Sequence, residues 1–238
     1  MLDTIKILLI LTSQSTMGPG GAPTGVWFEE LATPYYAFAD AGVQVDIASM
    51  EGGKIPIDPH SLKPEGKNPA SVERFLKDKA AMAKITNAKA IKGLDTSGYA
   101  AVFLPGGHGT MWDMPNNAVL SGLLSKAWAG GKVIATVCHG PAGLVGVKDE
   151  SGKPLVAGRR VSAFTDAEEK AAGLDRTVPF LLESRLRELG ARIETGPNFQ
   201  PFALHDGNLV TGQNPASSEA VARLTLEVIK QSGAAMKP

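Results

Sequence analysis

At 238 residues the chain is long enough for one large α/β domain with a sizeable core. Its 24 Lys and Arg balance 24 Asp and Glu, so the formal net charge is zero, which argues against a nucleic-acid or anionic-membrane surface. A single cysteine excludes an internal disulfide and fits a reducing compartment.

Met1 to Thr12 lacks a basic region and a small-residue cleavage pattern, so it does not read as a signal peptide. Its apolar run is far shorter than the roughly 20 residues that span a bilayer. A cytoplasmic protein with no membrane or nucleic-acid partner is expected. The four histidines and one cysteine show no zinc spacing, so no metal is expected, and there is no Walker loop.

The continuous apolar run Lys6 to Thr12 predicts a central parallel strand. Ser13 to Gly25, rich in Gly, Ser, Pro and Thr, is a loop at the sheet edge where α/β ligands bind. A helix is predicted from about Gly25 to Ala41, with Trp27, Leu31, Tyr35 and Phe38 on one apolar stripe and Pro34 as a local defect. At roughly 100° per residue, Glu30 lies about 60° from Trp27 and Glu29 about 160° away. Glu30 is therefore the acid that can sit in a partly apolar place with a raised pKa. A solvated acid near a core edge is the plainer alternative.

Val43 to Ser49 alternates as a second strand. The segment from about 50 to 95 reads as an insertion able to cover the site or a partner, with one helix over Ser71 to Lys84 and a connector from Thr86 to Asp95. Tyr99 to Leu104 is a third strand, followed by Pro105-Gly-Gly-His-Gly109. Glycines directly after a strand let a backbone N–H approach a ligand, so Gly107 is a candidate oxyanion donor. Asn117 to Gly130 is a helix with an Asn cap.

Val133 to Leu144 organises the chain. Apolar residues run to Val137, the lone cysteine follows, and His139-Gly140-Pro141 begins a helix. Such a strand-to-helix elbow pushes its nucleophile above the sheet edge, beside free N–H groups that hold an oxyanion and favour a thiolate. The alternative is a small buried hydrophobe. Beyond it, Ser151 to Lys153 is a hairpin turn and Arg160 to Phe164 a strand. Asp166 with Glu169 three residues later forms a capping-box pattern, with orientation of a histidine as its second possible role. A helix over Val178 to Leu189 and short strands over Ala191 to Glu194, Phe202 to His205 and Asn208 to Thr211 precede a terminal helix from Asn214-Pro215 to about Lys230. No repeat or linker divides residues 1–238, so one domain is expected.

Gly25-Val-Trp-Phe-Glu-Glu30, Leu104-Pro-Gly-Gly-His-Gly109, Ala135-Thr-Val-Cys-His-Gly-Pro141, Phe164 to Glu169 and Thr211-Gly-Gln-Asn-Pro215 together resemble the ThiJ/PfpI superfamily of class I glutamine-amidotransferase-like folds. The subgroup they most resemble contains the heat-shock chaperones and glutathione-independent glyoxalase III proteins. The resemblance implies a flavodoxin-like three-layer α/β sandwich with a mostly parallel sheet and a nucleophile elbow, often homodimeric. It implies Cys138 as nucleophile, His139 beside it, and Glu30 hydrogen-bonded to the thiol. Trp27, His108 and His205 are further candidates for the pocket. A late His-x-Glu pair is missing, since His205 is followed by Asp206 and Gly207, which disfavours glutamine amide hydrolysis. The implied chemistry is cofactor-independent conversion of a small 2-oxoaldehyde such as methylglyoxal to lactate through a Cys138 hemithioacetal. The rival readings are a holdase chaperone or protein deglycase, a cysteine peptidase, and a redox sensor.

Overall fold

The computed structural model describes residues 5–233; the reading of Met1 to Thr4 as part of a leaderless start lies outside them. In chain order the first elements are β1 (Lys6–Leu11), α1 (Phe28–Asp40), β2 (Gln44–Ser49), α2 (Ala70–Lys77), α3 (Lys79–Thr86), β3 (Lys89–Ala90), β4 (Ala101–Leu104), α4 (Thr110–Asp113), α5 (Ala118–Ala129) and β5 (Val133–Val137). A 3-10 turn over Gly140–Leu144 follows, and then β6 (Arg160–Val161), α6 (Asp166–Ala171), α7 (Leu182–Glu188), β7 (Arg192–Ile193), β8 (Ala203–Asp206), β9 (Leu209–Gly212) and α8 (Ser218–Ser232). Among the described residues no helix is long and apolar enough to cross a membrane.

Seven strands form one sheet in the order β3-β2-β1-β4-β5-β9-β8. Its pairs are parallel except β8 with β9, which close an antiparallel hairpin at the edge. The apolar runs of the central strands follow from this position, because both faces are covered. Ile7, Leu9 and Leu11 of β1 enter one core cluster with Phe28, Leu31 and Phe38 of α1 and Val221, Ala222 and Ile229 of α8. Leu8 and Ile10 enter the other, with Leu120 and Leu124 of α5 and Leu182 and Leu186 of α7. The sheet is thus the middle of three layers, the flavodoxin-like arrangement the sequence led us to expect.

The strand order reverses between β1 and β4, and the crevice beyond the carboxyl ends of those strands is the ligand-binding place in such sheets. The loops after β1, β4 and β5 all open there.

Several boundaries differ from the sequence reading, each for a local reason. The helix expected over 71–84 is two helices, because Asp78 leaves helical geometry and caps the second by accepting from the Ala80 and Ala81 N–H groups. The connector after it holds the edge strand β3. The insertion packs on α1 rather than standing apart: the Phe75 ring meets Phe28 at 5.4 Å and Tyr35 at 5.2 Å, edge to face. The strand expected over 160–164 shortens to β6, which pairs only with β7. Asn117 caps α5 as expected, accepting from Val119 and Leu120 N–H at 3.1 Å each. Replacing it removes one of the few ties at an exposed helix start. Asn117→Ala should lower unfolding free energy by about 1 kcal/mol in denaturant titrations, with Asn117→Asp close to the parent.

Candidate active site

Cys138 follows β5 directly with φ 60°, a left-handed backbone that non-glycine residues rarely adopt. Two hydrogen bonds fix it there: its N–H donates to Gly212 O at 3.0 Å, and its carbonyl accepts from Phe164 N–H at 2.9 Å. The strain is thus over-determined by neighbours on both sides, as at many reactive residues. The residue is 3 % exposed.

Close backbone approach assembles the rest. A Cβ on Gly106 would stand 2.6 Å from His139 N and 2.8 Å from both Val137 O and a Glu30 carboxyl oxygen. A Cβ on Gly107 would stand 2.2 Å from Gly25 O, and one on Gly25 would stand 2.3 Å from Pro56 O. The glycines of all three motifs are therefore points where segments press together. The Trp27 N–H donates to Gly106 O at 3.2 Å, which sets the start of α1 against the loop after β4. Gly107 has φ 103°, and among the described residues its N–H has no acceptor. The His139 N–H is directed at the Cys138 sulfur.

Glu30 is fully buried, as the helical-wheel choice over Glu29 anticipated. Its Oε2 accepts from Gly106 N–H at 2.7 Å, and its carboxyl hydrogen-bonds the Cys138 thiol. Burial pushes its pKa up to about 8, opposed by those two hydrogen bonds. Burial, followed by the negative charge of Glu30, pushes the Cys138 thiol well up. This corrects the expectation of a resting thiolate. The elbow leads into a 3-10 turn of 5 residues, too short for its dipole to outweigh desolvation.

His139 lies behind the sulfur, its Nδ1 3.3 Å from Sγ and its Nε2 2.6 Å from Glu169 Oε2. His108 reaches the other oxygen of the same carboxylate, Nε2 to Oε1, also at 2.6 Å. The two imidazole centroids are 4.1 Å apart, and the Phe164 ring covers His139 from 4.4 Å. Burial works against ionisation of Glu169, but the two histidines overcome it and hold its pKa at about 2. Glu169 is therefore a carboxylate and an acceptor only, so both histidines donate to it from Nε2, which leaves His139 Nδ1 facing the sulfur as a base. Burial, and then the charge of His108, lowers the His139 pKa, so its imidazole is neutral at pH 7. His108, His139 and Glu169 place ligand atoms within 4.8 Å of one another, a set able to hold a metal ion that sequence spacing could not reveal.

Glu169 is the acid the sequence reading missed. It took Asp166 and Glu169 as the capping box, but the box is one residue earlier: Thr165 Oγ1 accepts from Glu168 N–H, and Glu168 Oε2 accepts from Thr165 N–H, both at 3.0 Å. Glu169 is thereby released toward the histidines. Asp166 does not orient a histidine; it ties α7, accepting from Ser184 Oγ at 2.5 Å. His205 is not at the site either. It pairs with Val210 on the edge hairpin, level with the middle of β5, and its Nδ1 faces Gly207 O at 3.3 Å.

The raised Glu30 pKa makes a stability prediction. The folded state holds the proton to about pH 8, whereas a carboxyl at its ordinary value loses it at 4.5. The stability this contributes is full below pH 4.5 and is lost as pH rises through 8. Glu30→Gln removes that loss, so at pH 8 the variant should be more stable than the parent by about 2–5 kcal/mol, and near equal at pH 4. Thermal unfolding across pH 4 to 9 checks it.

Residues 24–228 match the DJ-1/PfpI family. The glutathione-independent glyoxalase HSP31 of Saccharomyces cerevisiae is 34% identical over 94% of this chain and 98% of its own. Among solved structures, glyoxalase III from Candida albicans superposes with a TM-score of 0.85 at 30% identity, covering 94% of this chain and 97% of that one. The Francisella tularensis Rapid Encystment Protein of 24 kDa does so at 0.90 and 35% identity, covering 95% and 99%. The family match over residues 24–228 and these near full-length relatives make the chain a member of the DJ-1/PfpI family.

Proposed function

We propose that this protein is a glutathione-independent glyoxalase that converts methylglyoxal, or a closely similar small 2-oxoaldehyde, to lactate at Cys138 without a cofactor. The observation that carries the reading is a thiol set between a neutral imidazole oriented by a carboxylate and a carboxyl still holding its proton at pH 7. That relatives at 34% and 31% identity are named glyoxalases supports it.

The neutral His139 takes the thiol proton at Nδ1 as sulfur adds to the aldehyde carbon. The carbonyl electron pair moves to oxygen, which faces the Gly107 and His139 N–H groups and takes a proton from Glu30. The product is a hemithioacetal. Glu30, now a carboxylate, removes the hydrogen from C1, and the electron pair passes to the neighbouring carbonyl to give an enediolate. Return of that proton to C2, with passage of the O1 proton to O2, yields the thioester of lactate. Water then adds to the thioester carbonyl as Glu30 takes one of its protons, the C–S bond breaks, and the thiolate recovers its proton from His139. The sum is one 2-oxoaldehyde and one water to one 2-hydroxy acid. Here the cysteine does what free glutathione would do. We assign Trp27, which opens α1 ahead of Glu30, and His108, whose ring centroid is 4.1 Å from that of His139, as substrate-contacting groups.

Cys138 at 3 % and His139 at 1 % exposure favour a small aldehyde over a glycated protein side chain. Pure protein given methylglyoxal and no glutathione should form lactate. Cys138→Ala should abolish it, and Glu169→Gln should lower kcat by about 10²–10⁴-fold, because an amide offers one acceptor oxygen to two histidines and no charge to match the imidazolium. Lactate formation by Cys138→Ala equal to that of the parent overturns the reading. We further propose that residues 1–238 act as one domain in a cytoplasmic homodimer; sedimentation at twice the 24.9 kDa chain mass checks the assembly.

A further inference from the structure

Phe199 has φ 58° and is 49% exposed. A bulky aromatic in the left-handed region is strained, and half of this ring gains nothing from burial. Both conditions persist because a fully buried carboxylate holds the residue. Glu168 Oε1 accepts from Phe199 N–H at 2.7 Å, from Asn214 Nδ2 at 2.9 Å and from Gln213 Nε2 at 3.1 Å. Its other oxygen takes the Thr165 N–H and hydroxyl. Gln213 Oε1 accepts from Gly196 N–H at 2.8 Å, and Asn214 Nδ2 also donates to Gln200 O at 2.8 Å. Among the described residues every donor to Glu168 is neutral, so the group acts as a hydrogen-bond hub and not as half of an ion pair. The late Gln-Asn motif and the first acid of the Glu-Glu pair thus converge on one task, fixing the segment 196–202.

That segment ends against the site. The Phe199 ring lies 6.2 Å from Phe164, which lies 4.4 Å from His139 and 6.1 Å from His108. His108 at 8% and Phe164 at 6% are the more accessible members of the otherwise sealed cluster, so the route from solvent to Cys138 passes beside them. We propose that Phe199 is a specificity-determining residue at the mouth of the Cys138 site, clamped there by Glu168, Gln213 and Asn214, and that it favours 2-oxoaldehydes carrying an aryl group over those carrying a methyl group. The substrate half of this statement rests on the glyoxalase reading.

The test compares phenylglyoxal with methylglyoxal, and alkylation of Cys138 by N-phenylmaleimide with alkylation by N-methylmaleimide. Phe199→Ala should lower kcat/KM for phenylglyoxal about tenfold through KM, with kcat kept and methylglyoxal changed less than about twofold. N-phenylmaleimide should lose its advantage in the same variant. Phe199→Gly, which relieves the backbone, should lose selectivity equally while unfolding no lower than the parent. Phe199→Leu should restore part of it, and it decides the matter should the smaller variants not fold. Glu168→Gln should shift KM for phenylglyoxal in the same direction with kcat for methylglyoxal retained. Equal changes for both aldehydes and both alkylators, or none, overturn the proposal. Should the parent form no 2-hydroxy acid from either aldehyde (lactate from methylglyoxal, mandelate from phenylglyoxal), the glyoxalase reading falls and the alkylation ratio alone decides the role of Phe199.

Discussion

Gly140 passes so close to the end of β4 that a Cβ there would stand 2.1 Å from Leu104 O, and Gly106 and Gly107 meet the elbow and the entry to α1 in the same way. This crowding of backbone at the carboxyl edge of the sheet is the constraint on which the site depends. It brings the backbone of Gly106, the elbow at His139 and the Glu30 carboxyl into direct contact. Groups fixed by backbone contacts lose little freedom when a reaction needs them aligned. The constraint also explains why the glycines recur in three motifs far apart in the chain: each is one side of a contact whose other side is another motif.

The same crowding excludes water, and the charges respond. Removal of solvent pushes both Glu30 and the Cys138 thiol toward their neutral forms. Glu169 carries a full negative charge, which two histidines share. The resting site is therefore neutral around the sulfur and anionic beyond His139. A histidine between these regions can accept a proton because the charge it gains is already matched on its far side. The left-handed turn at Cys138 fits this division, since it keeps the sulfur between Glu30 and His139 Nδ1.

The layers and the elbow were legible in the sequence because period and punctuation encode them: unbroken apolar strands need two covered faces, and Cys-His-Gly-Pro after such a strand needs a sharp exit. The choice of Glu30 over Glu29 was legible too, since one helical position separates core margin from solvent. Glu169 was not. Thr165-x-x-Glu168 and Asp166-x-x-Glu169 satisfy the same capping pattern one residue apart, and only the three-dimensional placement of Thr165 decides between them. The break at Asp78 was hidden because apolar spacing continues through it while the side chain caps the second helix. His205 misled because a histidine in a short strand carries no sign of which end of the sheet it faces.

A neutral thiol beside a neutral acid is a poor nucleophile in isolation, and this decides how the chemistry must be ordered. A standing thiolate would be quenched by electrophiles and oxidants whenever they reached it. Here the sulfur becomes nucleophilic only when its proton can pass to His139, and the oxyanion that forms next has Glu30 and the Gly107 N–H as its partners. Activation is thus tied to arrival of a carbonyl able to use the proton that Glu30 holds. Alkyl halides offer no such oxygen, so the burial that raises both pKa values also favours electrophiles whose oxygen can take that proton. In that sense desolvation supplies the selectivity of the site, and the glycine contacts that cause it are as much a part of the reaction as the residues that carry protons.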